Sequence, residues 1–121
     1  MDMTEYLMSV AMYSLKYAEE FGYKEDEVSD TLGYIFRVHQ DKVKEYSNQE
    51  LSLLVNLLSK EDKDKYEELL NIYTLDNIKL MIKYAKKTKD ILKLAKRTKE
   101  LYYMNDFKFT SSKLEKEFKG D

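Results

Sequence analysis

Few side chains in this sequence could do covalent or metal chemistry. It has no Cys, which excludes thiolate ligands, a Cys nucleophile and a disulfide framework. His39 is the single imidazole, so one copy cannot build a His-rich zinc site, and no metal or cofactor is expected. It falls on the apolar line Phe36, His39, Val43, where a partly buried, hydrogen-bonded His is the plainer expectation. A Ser/His/Asp triad has nothing else to support it. Gly22, Gly33 and Gly120 are isolated, so no Gly-rich phosphate loop occurs. Charge is what remains. The 23 acids and 21 bases sum to -2, but they are unevenly placed. Residues 1–76 hold 17 acids and 8 bases, residues 77–105 hold 2 and 9, and residues 106–121 hold 4 and 4.

The basic stretch has helical periodicity. At 100° per residue, Ile78, Met81, Tyr84, Ala85, Thr88, Ile91, Leu92, Ala95, Thr98 and Tyr102 share one half-turn. Opposite them Lys79, Lys83, Lys86, Asp90, Lys93 and Arg97 alternate four and three apart, a ridge of about 27 Å at 1.5 Å per residue. Such a row could follow a phosphate backbone and release counterions. It would hold without reading sequence, because phosphate contacts position and base contacts specify. An acidic protein surface would satisfy it equally. A solvated helix face is the plainer alternative, since Lys is a good helix former. Assembly is the third: Ala85, Thr88, Ala95 and Tyr102 would admit a close contact with a second copy, giving a homo-oligomer.

Two comparisons bear on enzyme chemistry. Arg37-Val38-His39 lacks the wider Arg-to-His spacing of HEPN-type ribonucleases. Glu27-Val28-Ser29-Asp30, followed by Leu32-Gly33-Tyr34-Ile35-Phe36, resembles the second half of the MazG-like all-α NTP pyrophosphatase motif. The resemblance covers about ten residues. It implies two carboxylate pairs on adjacent helices holding Mg²⁺ around a triphosphate. Glu19-Glu20 could open the first half, but Tyr23 stands where a third acid is needed.

The elements that must position these residues are helices. Proline is absent and glycine occurs three times, too few turn formers for a sheet-rich domain. The 43% hydrophobic content excludes a disordered tail, and 121 residues suit one domain. Asp2 with Glu5 reads as a capping box for a first helix over Met3–Phe21, stopped by Gly22. Its polar strip is narrow, so it is expected at the centre. A second helix is expected from Glu25 to about Tyr46, with Ser29 and Gly33 allowing close approach of another helix or a ligand. Ser47 with Glu50 caps a third; Ser59 with Asp62 starts a fourth over about Lys60–Tyr73; Thr74 caps a long fifth over Leu75–Met104. Phe107-Lys108-Phe109 alternates as a short extended segment, and Ser112 with Glu115 opens a last helix over 113–119.

The expected fold is all-α: a single compact bundle of four to five helices over 1–105, with a long basic helix 5. A short helical appendage of the same domain follows over 106–121. Core candidates are Tyr6, Val10, Tyr13, Tyr17, Ile35, Phe36, Leu54, Leu58, Leu69, Leu70, Ile91 and Leu92. The longest early uncharged run, Tyr6–Leu15, is far short of the roughly 20 residues that span a bilayer. With acids at positions 2 and 5, a cytoplasmic protein without a membrane partner is expected. The bias to Lys, Glu and Tyr fits a thermophilic or viral source. The function expected is that of a non-enzymatic binding protein. Its basic helix would meet nucleic acid or an acidic protein surface through Lys79, Lys83, Lys86, Lys93 and Arg97. A self-assembling scaffold and a Mg²⁺-dependent pyrophosphatase are the alternatives.

Overall fold

A computed structural model describes residues 2–120 of the chain. Among the described residues there are eight α-helices, one 3-10 turn at Lys63–Lys65, and no strand. The chain packs as two units, residues 1–63 and 64–121.

The first unit contains α1 (Met3–Phe21), α2 (Glu25–Val38), the short α3 (Gln40–Val43) and α4 (Asn48–Ser59). Its boundaries follow local chemistry. The Asp2 carboxylate accepts from the Glu5 N–H at 2.8 Å. Past the end of α1, the Gly22 N–H donates to the Glu19 carbonyl and the Tyr23 N–H to the Ala18 carbonyl, with Gly22 at φ 75°. Ser47 and Glu50 form the complete reciprocal capping box.

The helix at the centre of this unit is α4 and not α1. Every residue from Leu51 to Leu58 is buried. The stretch Leu51–Ser59 carries no charge, and a helix without a polar face is stable only when covered all round. Both α1 and α2 pack on it. Its buried Asn56 donates from Nδ2 to the Ser14 and Ser52 carbonyls at 3.0 and 2.9 Å. α1 shows its outer side to solvent instead: Met8 is 62% exposed, Met12 71%, and Tyr13, expected in the core, 38%. Outside its own helix backbone and chain neighbours, no atom lies within 4 Å of a Cβ built on Gly33, so no other helix packs closely there.

The second expected helix ends early, at Val38. His39 leaves the helical region at φ -124°, ψ 43°, and α3 resumes beyond it. The bend seats Val43 and Tyr46 in the core beside α1, where the Tyr6 hydroxyl lies 3.0 and 2.8 Å from their two carbonyls. Burial, ahead of the nearby carboxylates, pushes the Tyr46 phenol up to about 12.

The second unit contains α5 (Tyr66–Leu70), α6 (Leu75–Tyr84), α7 (Asp90–Met104) and α8 (Ser111–Lys119). The expected fourth helix shrinks to the 3-10 turn and α5. Its supposed cap, Ser59, still belongs to α4 and donates to the Asn56 carbonyl at 2.8 Å. The long fifth helix is broken. Ala85 is extended at φ -72°, ψ 126°, and α7 starts only at Asp90. An unbroken Leu75–Met104 helix would be about 45 Å long. A unit of this chain length spans roughly 27 Å. Lys83, Lys86 and Lys87 would also stack at helical spacings of three and four, where like charges repel. The break lets Ile78 and Met81 of α6 and Ile91, Ala95, Thr98, Leu101 and Tyr102 of α7 all be buried, with Leu114 of α8. Buried Asn77 ties three helices. Its Nδ2 donates to the Ile72 carbonyl and the Tyr102 hydroxyl oxygen, each at 2.8 Å, and its Oδ1 accepts from Ser111 at 2.7 Å. α8 is capped by Thr110, two residues before the Ser112 expected, and ends at Gly120 as expected.

Candidate nucleic-acid interface

The division into units is also a division of charge. Residues 1–63 carry 13 acids and 7 bases, or -6, and residues 64–121 carry 10 acids and 14 bases, or +4. Helix α7 and the connection before it hold most of the excess.

The break in the fifth helix scatters the predicted ridge. Lys79 and Lys83 lie on α6, Lys86 in the connection, and Lys93 and Arg97 on α7. Two of the five are held by acids of α8. Lys83 Nζ meets Glu115 Oε2 at 3.1 Å, and the Tyr84 hydroxyl donates to the same oxygen at 2.8 Å. These bonds, Tyr84 first and Lys83 next, hold the Glu115 carboxyl below the usual carboxylate range. Arg97 donates through Nε and Nη2 to Glu117 Oε1 at 3.1 and 2.6 Å, and Nη1 lies 3.6 Å from Glu100. The Glu117 bond is the first cause of the raised Arg97 pKa.

Lys79, Lys86 and Lys93 differ from those two. They are exposed and have no ion pair to a described acid. Lys87, Lys89 and Lys96 share that state. Lys89, Lys93 and Lys96 follow spacings of four and three, which sets them on one face of α7, and Glu100 and Tyr103 continue the same line. From Lys89 to Tyr103 the face is about 21 Å long.

The four residues expected on an assembly face do not share a surface. Ala95 and Tyr102 are buried in the core of the second unit, and the Tyr102 ring packs edge-on against Phe109 at 5.7 Å. Ala85 and Thr88 lie in the connection between α6 and α7.

Sequence reasoning missed the turn that closes α7 and sets Phe107 beside Tyr103. The Phe107 N–H donates to the Tyr102 carbonyl at 2.7 Å and the Asp106 N–H to that of Tyr103 at 3.4 Å, the same paired closure that follows α1. Glycine usually supplies the left-handed residue in this closure. Here Asp106 has φ 51° and Phe107 φ 63°. Asp tolerates that region, but for a bulky aromatic it costs roughly 1–2 kcal/mol. The conformation sets Phe107 against Tyr103 with ring centroids 5.1 Å apart and planes at 74°. Tyr103 is 40% exposed, Met104 73% and Phe107 39%. The Tyr103 hydroxyl donates to Glu68 Oε2 at 2.8 Å. The only sequence signal was negative: no glycine stands where the helix must close.

The carboxylate motif does not assemble. Glu27 lies 3.4 Å from Lys60, whose ammonium also sits 5.1 Å from the Tyr23 ring centre. Among the described residues no three His, Cys, Asp or Glu side chains gather as a metal site. The four-carboxylate arrangement that the resemblance implies is therefore not formed among the described residues. His39 packs edge-on to Tyr34 at 5.9 Å. The chain matches no family model, no curated protein and no solved structure. No helix among the described residues is long and apolar enough to cross a membrane.

Proposed function

We propose that the chain is a non-enzymatic binding protein whose second unit contacts a polyanion, with a nucleic-acid backbone as the favoured partner. The observation that carries this reading is the row Lys89, Lys93, Lys96 on one face of α7, exposed and without acid partners, with Lys86 and Lys87 leading into it. Of the five residues read from sequence, Lys79, Lys86 and Lys93 remain available for contact. Lys83 and Arg97 serve the internal pairing with α8. Confinement of the positive charge to one unit reconciles a basic site with a total of -2. A few phosphate contacts give modest, salt-sensitive affinity without base readout.

Anisotropy of a labelled oligonucleotide at low salt tests the proposal. The combined Lys89→Glu, Lys93→Glu and Lys96→Glu variant should bind at least tenfold more weakly, and unchanged binding would overturn it. One observation favours a second reading, self-assembly. Met8, Met12 and Leu15 recur at spacings of four and three on the exposed side of α1, an apolar stripe a second copy would cover. Light scattering on the same samples separates the readings. Self-assembly gives a dimer mass whether or not polyanion binds, and the first reading gives binding by a monomer.

A further inference from the structure

We infer that the nucleic acid this face takes is single-stranded, with a base stacked on the Tyr103–Phe107 pair and the strand running along the lysine row. The inference rests on the polyanion reading above and adds to it which form of nucleic acid binds.

Three observations converge on the end of α7. The first is exposure: Tyr103, Met104 and Phe107 are the exposed large apolar side chains of this unit among the described residues, at 40%, 73% and 39%. The second is backbone strain. Phe107 follows the closing residue Asp106 and is itself held at φ 63°, a conformation that costs a bulky aromatic, with its ring against Tyr103. A strained residue that persists on a surface points to a use for its side chain. The third is alignment: Tyr103 lies on the same helix face as Lys89, Lys93 and Lys96, the exposed row.

Rings nearly perpendicular to each other cannot both lie flat on one base. One ring therefore takes the base and the other braces it. The Tyr103 ring lies 5.1 Å from that of Phe107, and its hydroxyl donates to Glu68. An aromatic platform beside a row of cations is the arrangement by which sequence-tolerant proteins hold single strands: every base has a π face, and the backbone follows the charge. A duplex hides its base faces in the stack and would meet only the lysines. Glu100 lies within the row between Lys96 and Tyr103, and it is drawn toward Arg97 at 3.6 Å. The phosphates therefore engage the Lys89–Lys96 end, and the base engages the Tyr103 end.

The test is anisotropy of the full chain with a labelled single-stranded oligothymidine, the matching duplex, and inorganic polyphosphate as competitor. Tyr103→Ala and Phe107→Leu should each weaken single-strand binding about tenfold, within the range a lost stacking contact gives. They should change duplex binding and polyphosphate competition less than twofold. Tyr103→Phe, which keeps the ring and loses the hydroxyl, should restore single-strand binding. Phe107→Leu keeps apolar bulk at the turn, and unchanged thermal melting of each variant shows that the fold is intact. If both aromatic variants bind the single strand as the parent does while the triple lysine variant loses it, the stacking inference falls and the polyanion reading stands. If the parent binds none of the three probes at low salt, the polyanion reading itself falls.

Discussion

Single residues show where the chain departs from what its own packing requires. Gly33 is the plainest case. It lies inside α2, and a Cβ placed on it would meet nothing within 4 Å. Its backbone freedom is lost on folding, and no close packing around it offsets that loss. Gly33→Ala should therefore stabilise the protein by about 0.5–1 kcal/mol, seen as a higher denaturant midpoint with an unchanged slope. The sequence suggested a use for Gly33, because a small residue one turn from Ser29 fits a close helix crossing. Which face of α2 meets its neighbour depends on α4, and only packing reveals that. Ser47, Glu50 and Gly22 were readable because each acts within four residues of itself. Phe107 was not readable, because nothing in the residue type announces a positive φ.

At the scale of elements most helix starts were legible, and the lengths of the second, fourth and fifth expected helices were not. Caps at Asp2, Ser47 and Thr74 stand where the local pattern put them. Of the three long helices read from periodicity, the first stands intact over Met3–Phe21, and the other two are broken, at His39 and at residues 85–89, with neither proline nor glycine at either break. Ala85 is among the best helix formers, so propensity pointed the wrong way there. The breaks come from packing: each sends the following apolar residues back onto the unit that holds them. The broken connection leads to a specific expectation. Ala85 is already extended, which is the conformation proline demands of its predecessor, and the Lys86 N–H donates no hydrogen bond to a described residue. Lys86→Pro should cost less than about 1 kcal/mol in a urea titration, where a continuous helix would lose about 3 kcal/mol.

For the whole molecule, the near-neutral total conceals two units of opposite sign, and the binding reading stands or falls with the positive one. Part of its charge is restrained from within: Glu115 and Glu117 of α8 hold Lys83 and Arg97. Removing the nearer of the two acids on Arg97, with Glu100 left at 3.6 Å, should let it engage one further phosphate. Glu117→Gln is therefore expected to tighten polyanion binding and to steepen its logarithmic salt dependence by about 0.7–0.9 for each phosphate newly engaged. Affinity measured across a salt series reads both. The stability cost should be small, because exposed ion pairs contribute only about 0–1 kcal/mol. The turn at Asp106-Phe107 has a consequence of another kind. Phe107→Gly would relieve the positive φ, and the stack on Tyr103 would vanish with it. At position 107 backbone ease and the ring pair are thus opposed: a residue that relaxes the turn removes the stack.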